Sequence, residues 1–187
     1  MTAVTYSLTT SLDGYTMDAG GSIDWSAPDE ESFRLATDEV RGLGGHLLGR
    51  RLYEAMLYWD GREEDPALGP LERDFARIWN ALPKVVFSRT LTEVRGAHTV
   101  LASDDLASEV ARLREASDAD VAVGGPMLAA AAADLDLIDE YRMRVRPVLL
   151  GGGTPFFATH GRRVHLEPLE NRPLRSGVVY QRYRVLH

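Results

Sequence analysis

Several short stretches combine residue types and spacings suited to holding a phosphorylated ligand. Val121-Ala122-Val123 is an apolar run with strand character, and Gly124-Gly125 follows it. Pro126-Met127 then heads an alanine-rich segment that reads as a helix to about Leu135. Strand, glycine pair and helix start suit a diphosphate. Glycine lets the backbone approach closely, and the helix end offers unpaired N–H groups and the positive end of its dipole. The pair is not a G-x-G-x-x-G pattern, and taken alone it serves equally as a tight strand-to-helix turn. A second junction is Leu48-Gly49-Arg50-Arg51, where a strand over residues 45–49 meets a helix. Two arginines there oppose the helix dipole, a conflict that an anionic ligand would remove; solvated arginines are the alternative. Ser88-Arg89-Thr90 comes directly after the strand Lys84-Val85-Val86-Phe87. A guanidinium fork beside hydroxyls suits a 2′-phosphate on an adenine ribose, and a plain turn competes with that reading.

Candidates for the reacting end lie nearer the N-terminus. Asp13, in Ser11-Leu12-Asp13-Gly14 after the first strand, either contacts a ligand or braces the turn. Residues 17–28 form a Gly/Asp/Ser-rich loop holding Trp25, of the kind that covers a site. Asp29, Glu30 and Glu31 crowd the first turn of the helix expected over 29–43. Negative charge suits that position, so capping explains the cluster; the functional alternative is a carboxylate facing a pocket and holding a substrate's polar edge.

The elements that must position these residues alternate in type. Strands are expected at 4–10, 45–49, 84–87, 97–101, 121–123 and 141–145, with helices at 29–43, from Arg50, 71–82, 104–116 and 126–135. Two closing strands, 164–169 and 178–186, are separated by Asn171-Arg172-Pro173 and Ser176-Gly177. Helices and strands alternate first and strands dominate later, which predicts an α/β chain with a mostly parallel sheet and an antiparallel C-terminal end. The length of 187 residues fits one domain, 1–187, with room for a core. A net charge of −7 argues against nonspecific nucleic-acid binding. With no cysteine the chain has no disulfide, thiolate zinc site or cysteine nucleophile, which fits the cytoplasm. No signal peptide or membrane span is expected. His46, His98, His160, His165 and His187 lack metal-ligand spacing, and no G-x-S-x-G elbow occurs.

Taken in order, these pieces resemble the dihydrofolate reductase superfamily. The resemblance is nearest to its bacterial branch related to the C-terminal reductase domain of the bifunctional riboflavin-biosynthesis deaminase–reductase. It rests on Ser11-Leu12-Asp13-Gly14, residues 48–54, residues 86–91, and Val123-Gly124-Gly125 followed by Leu137-Ile138-Asp139-Glu140 and Pro147-Val148-Leu149-Leu150-Gly151-Gly152-Gly153. The resemblance implies a three-layer α/β fold, with a central mostly parallel sheet, antiparallel C-terminal strands and flanking helices. It implies NADPH as cofactor and hydride transfer to a pterin, pyrimidine or related heterocycle. Gly49, Arg50 and Arg51 match the helix-end phosphate contacts, and Ser88, Arg89 and Thr90 the 2′-phosphate position. Gly124, Gly125, Pro126 and Met127 match the diphosphate site, where the family's Gly-Gly peptide is cis. Trp25-Ser26-Ala27-Pro28-Asp29-Glu30 is similar to the Trp-x-x-Pro-x-acid pattern of folate-reducing members, although Arg34 stands where they carry an aromatic. The implied catalytic carboxylates are Glu30 and Asp13, with Trp25 and Glu31 as substrate contacts. Neither a deaminase domain nor a Cys/His zinc motif is expected in this chain, and members of this branch are often homodimers. Two other readings stay open: a cofactor-binding sensor or scaffold without turnover, and a structural dimer module.

Overall fold

Neighbouring residues of the central strands are claimed by opposite cores, and this alternation builds the layers. In the computed structural model, which describes residues 2–157 and 163–187, the chain runs β1 (Val4–Ser11), β2 (Tyr15–Met17), α1 (Glu30–Arg41), β3 (Leu43–Gly49) and α2 (Arg50–Met56). A 3-10 turn, Leu57–Trp59, leads to α3 (Pro70–Ala81), β4 (Lys84–Phe87), β5 (Thr99–Leu101), α4 (Leu106–Ala116), β6 (Asp120–Gly124) and α5 (Pro126–Asp134). The C-terminal part holds β7 (Glu140–Arg146), β8 (Thr154–Pro155), β9 (His165–Pro173) and β10 (Val179–Leu186). Leu47 and Val85 join a core with Val110, Ala129 and Ala132 of α4 and α5. Leu48 and Val86, one residue on, join a core with Tyr53, Phe75 and Trp79 of α2 and α3. Side chains of a strand point alternately to either face, so the sheet is covered on both sides.

Among the described residues the main sheet has the order β5-β4-β3-β6-β1-β7-β10-β9. From β5 to β7 every pairing is parallel, and β10 pairs antiparallel with β7 and β9. The carboxyl edge of this sheet is stepped. β6 stops at Gly124, two residues beyond its last pairing with β1 at Thr5↔Ala122, while β1 continues beside β7 to Ser11↔Arg146. At the adjacent pair β3 and β6 the chain leaves in opposite directions, through α2 toward β4 and through α5 toward β7. Ligands of open α/β sheets bind in the crevice outside such a switch point.

α1 is held to the sheet by buried polar groups rather than by apolar contacts alone. Glu39 accepts hydrogen bonds from Arg144 Nη1 (2.7 Å), the Ser7 hydroxyl (2.8 Å) and the Tyr180 hydroxyl (2.6 Å). Beside it Glu140 pairs with Arg142 at 2.7 Å and Arg182 at 2.6 Å.

Some boundaries differ from those expected. Asp29 is the N-cap of α1, accepting from the Ser32 N–H, and Gly42 ends the helix so that Leu43 already belongs to β3. Asn171-Arg172-Pro173 is not a break: β9 runs through Pro173, opposite Val179, because an edge strand tolerates a residue with no N–H to donate. The turn is made by residues 174–178, with Gly177 at φ +83°. The β2–β8 pair was hidden in segments that read as loop; Met17 there pairs with Thr154, beside Gly153. A Cβ on Gly153 would lie 1.9 Å from the Met17 carbonyl oxygen, so only glycine lets the two segments meet. His160 lies outside the described residues.

Candidate functional site

Gly49, Gly124 and Gly125 line a cradle at the switch point. A Cβ on Gly124 would lie 2.5 Å from both His46 Cε1 and Leu52 Cδ2, so the side chains beneath leave room for a hydrogen only. A Cβ on Gly49 would touch the Gly124 carbonyl oxygen at 3.7 Å and Leu128 Cβ at 3.8 Å. Gly125 sits at φ +95°, a region open to glycine, and turns the chain into α5. No peptide bond among the described residues is cis, so the Gly124–Gly125 peptide is trans, against the expectation from the resemblance; the turn is made by the positive φ of Gly125. Pro126 is the first residue of α5 and Met127, 81% exposed, follows it. The first helical hydrogen bond runs from the Ala129 N–H to the Gly125 carbonyl (3.0 Å), so the N–H groups of Met127 and Leu128 precede the helical ladder. His46, under the cradle, is pushed down to about 4 by burial, so it is neutral at pH 7.

The ends of β3 and β4 meet beside this cradle, since Gly49 pairs with Phe87. Arg50 donates from Nη1 to the Thr90 hydroxyl (2.6 Å) and from Nε to Glu54 (2.7 Å). The ion pair with Glu54 answers part of the unfavourable charge at the start of α2, and the bond to Thr90 ties the two strand ends together. Ser88 Oγ accepts from the N–H groups of Thr90 (3.2 Å) and Leu91 (3.0 Å), which shapes the turn. Arg51 and Arg89 are both exposed. Among the described residues neither guanidinium has a hydrogen-bond or ion-pair partner.

The substrate-side candidates separate. Asp13 accepts from the Ser11 hydroxyl (2.6 Å) and from the N–H groups of Leu150 (3.1 Å) and Gly151 (2.7 Å). The Ser11 hydroxyl, with those N–H groups, holds its carboxyl below the usual value. These bonds make the carboxylate a clamp on the loop after β7. Asp13→Ala is expected to release residues 150–151, read as faster amide hydrogen exchange there with little change elsewhere; unchanged exchange would remove the clamp. Glu31 accepts from the Arg175 N–H (2.9 Å) in the β9–β10 turn. One helical residue turns it about 100° from Glu30, and the bond ties α1 to the β9–β10 turn. Glu30 is 79% exposed and pairs with Arg34 at 2.8 Å. Trp25 lies in a short 3-10 turn, Asp24–Ser26, and its indole N–H is buried with no partner among the described residues.

Tyr58 and Trp59 were not singled out by sequence reasoning. They form one wall of a cleft of about 880 Å³ between α1 and α3, whose lining includes Glu30, Phe33 and Arg34. Two adjacent aromatics opening a polar loop were the available signal. Among the described residues no cluster of His, Asp or Glu is arranged to hold a metal ion, and no helix is long and apolar enough to cross a membrane.

This stepped sheet with its C-terminal antiparallel strands and glycine-lined switch point defines a dihydrofolate reductase-like three-layer fold. The Enterococcus faecalis dihydrofolate reductase complexed with NADP(H) and RAB-propyl superposes with a TM-score of 0.62 at 13% identity, covering 99% of this chain and 97% of that one. The chain belongs to the RibD C-terminal domain family, whose model matches residues 2–180. Membership implies reductase chemistry of the riboflavin-biosynthesis type. The chain is 30% identical over 173 residues to the protein YyaP of Bacillus subtilis (strain 168), covering 92% of this chain and 89% of that one. A riboflavin biosynthesis protein from Shewanella sp. PV-4 has a TM-score of 0.77 at 24% identity, with 99% of both chains covered.

Proposed function

We propose that the protein is an NADPH-dependent reductase that delivers a hydride to a small pterin, pyrimidine or related heterocycle. One observation carries this reading. Gly49, residues 88–90 and Gly124-Gly125 converge at the ends of adjacent parallel strands, where the chain reverses its direction along the sheet. The residues present fit a dinucleotide phosphate. The cradle has no room for a Cβ at Gly124, backbone N–H groups stand ahead of the α5 ladder, and Arg51 and Arg89 are uncommitted cations. The NADP(H) named with the Enterococcus relative supports the same choice.

In this reading Gly124, Gly125, Pro126 and Met127 hold the diphosphate. Gly49 gives it close approach, and Arg51 neutralises it. Arg50 keeps the β3 and β4 ends together, and Ser88, Arg89 and Thr90 receive the 2′-phosphate. The bound cofactor supplies a hydride from nicotinamide C4 to an electrophilic C=N or C=O carbon. The chain's part is to fix that approach and to exclude water, with Trp25 covering the site. Glu30 orients the substrate and passes on the proton, drawn from water, that balances the hydride. Asp13 keeps the 150–151 loop in position. The protein works in the cytoplasm as a homodimer, and β9, an exposed edge strand, supports the second point.

Arg89→Ala should weaken NADPH about tenfold to a hundredfold, the worth of a charge-assisted hydrogen bond, and leave NADH nearly unchanged. Equal NADPH affinity in the variant would remove Arg89 from the site. Glu30→Gln should lower kcat or raise KM without changing NADPH affinity, and unchanged turnover would end its assignment.

A further inference from the structure

Lys84 is the chain's only lysine; every other basic side chain, the histidines aside, is an arginine. It opens β4 and is 4% exposed. Its ammonium donates to the Trp79 carbonyl (2.7 Å) in the last turn of α3 and to the Leu82 carbonyl (2.6 Å) just beyond it. A cation there suits the negative end of the helix dipole. The Trp79 ring lies 5.2 Å from Nζ. An ammonium has three N–H donors, and two are spent on these carbonyls. Beside it is a cavity of about 10 Å³, room for about one water, lined by Lys84 with Tyr53, Asp60, Asn80, Arg95 and Thr99. The five-donor fork of an arginine would not suit so small a space.

This cavity borders the Tyr58–Trp59 corner. Asp60 follows Trp59 directly and ends its 3-10 turn, with its N–H bonded to the Leu57 carbonyl (3.1 Å). Its carboxylate faces the same cavity: a Cβ on Gly96, which also lines it, would lie 3.7 Å from Asp60 Oδ1. Asn80, next to Trp79 on α3, holds the Trp59 carbonyl (3.0 Å) and donates to Glu63 (2.6 Å). Phe75 stacks on Trp79 at 6.2 Å and packs on Trp59 at 4.8 Å between ring centroids. The remaining titratable groups around the ammonium are Arg95, Tyr53 of α2, whose hydroxyl is bonded to the Arg95 backbone, and His46 of β3, neutral at pH 7. Among the described residues Asp60 is the carboxylate that steadies the charge.

We infer that Lys84 is a positioning residue for this wall of the cleft: its charge holds Asp60, and with it the Tyr58–Trp59 corner, against the end of α3. Burial pushes the ammonium down to about 8, and Asp60 resists that fall. The hold is therefore present at neutral pH and released in mildly alkaline solution. Global stability moves the other way. A lysine whose folded value lies below its unfolded one adds stability as pH rises from about 8 to 10.5, so the release is local and an unfolding curve does not report it. What the wall does in turnover rests on the reductase reading; the hold is measured without any ligand.

The full chain labelled with ¹³C-lysine gives one lysine side chain to follow by NMR. Its Cε signal should titrate near pH 8, and Asp60→Asn should move that midpoint lower. Amide hydrogen exchange over residues 57–62, corrected for its intrinsic pH dependence, should quicken in wild type between pH 7 and pH 9 with the midpoint of the lysine signal. Asp60→Asn, at an exposed position, and Lys84→Met should each exchange about tenfold faster there at pH 7, the worth of a hydrogen bond to a charged group, with no further rise to pH 9. Asp60→Asn carries the test alone if Lys84→Met does not fold. A lysine signal that titrates near 10.5 overturns the inference, and so does exchange that Asp60→Asn leaves unchanged. Faster exchange in Lys84→Met alone, without pH dependence in wild type, also overturns it, because packing is then the whole role. A parallel NADPH titration of wild type tells the two failures apart. NADPH bound with neither signal removes the positioning role and keeps the reductase reading; both signals without NADPH do the reverse.

Discussion

Glu39→Ala is expected to cost about 3–5 kcal/mol of folding stability at pH 7, because it leaves Arg144 buried and uncompensated. Both side chains of this pair are only 11% exposed, and Glu39 gathers Arg144, Ser7 and Tyr180 onto its two oxygens. Burial pushes the Glu39 carboxyl up, and Arg144 with the Tyr180 and Ser7 hydroxyls more than offsets this, so the group ends below its ordinary value of 4.5. A carboxyl lowered by folding adds stability above its unfolded value, and that stability is lost as pH falls through the folded value. Urea unfolding of wild type and Glu39→Ala should therefore show the largest gap near neutrality and a shrinking gap below about pH 4.5. A loss under about 1 kcal/mol at pH 7, the size of an exposed pair, would show that the network does not hold α1.

Gly124→Val should abolish detectable NADPH binding, with an affinity loss of a hundredfold or more. Its Cβ would fall 2.5 Å from His46 and Leu52, so the ring below and α2 beside it must move. Overpacking of this kind costs about 1–3 kcal/mol, which leaves a folded protein to measure. The movement shifts Gly49 and Arg50 with α2, so the cradle is lost from both sides. Gly49→Ala is the instructive comparison. Its Cβ would make ordinary contacts at 3.7 and 3.8 Å, so thermal stability should hold while the methyl group intrudes on the ligand's approach. Variants that melt like wild type and bind NADPH as tightly would show that the glycines serve only the turn.

Local chemistry explains which features could be read before the fold was seen. β4 was bounded by Pro83 and the Ser88 turn, and its four residues matched the expected strand. The strand-to-helix junctions at Gly49-Arg50 and Gly125-Pro126 were also visible, since a glycine, then a helix former or proline, marks the change of period. What the sequence concealed was pairing across distance. Glu39 and Arg144 are 105 residues apart, and an arginine in an alternating strand gives no sign of a buried partner. The partners of Asp13 and Glu31 were hidden because the N–H groups they hold, on residues 150–151 and 175, lie in loops more than a hundred positions away. Arg50 looked like a free cation because only the β3–β4 pairing brings Thr90 to it. The aromatic cleft depends on the packing of α1 against α3, so the adjacent aromatics Tyr58 and Trp59 were visible as a pair but the cleft they line was not.

The central claim is that the convergence of strand ends at the switch point holds a phosphorylated nicotinamide dinucleotide. Titration of the wild-type chain with NADPH, and with NADH for comparison, tests it most directly. The account predicts saturable one-site binding of NADPH and an NADH affinity at least tenfold weaker, because Arg89 would have no 2′-phosphate to meet. Absence of binding by either nucleotide to the folded protein would contradict it, leaving the glycines and the arginines of this edge with structural roles only.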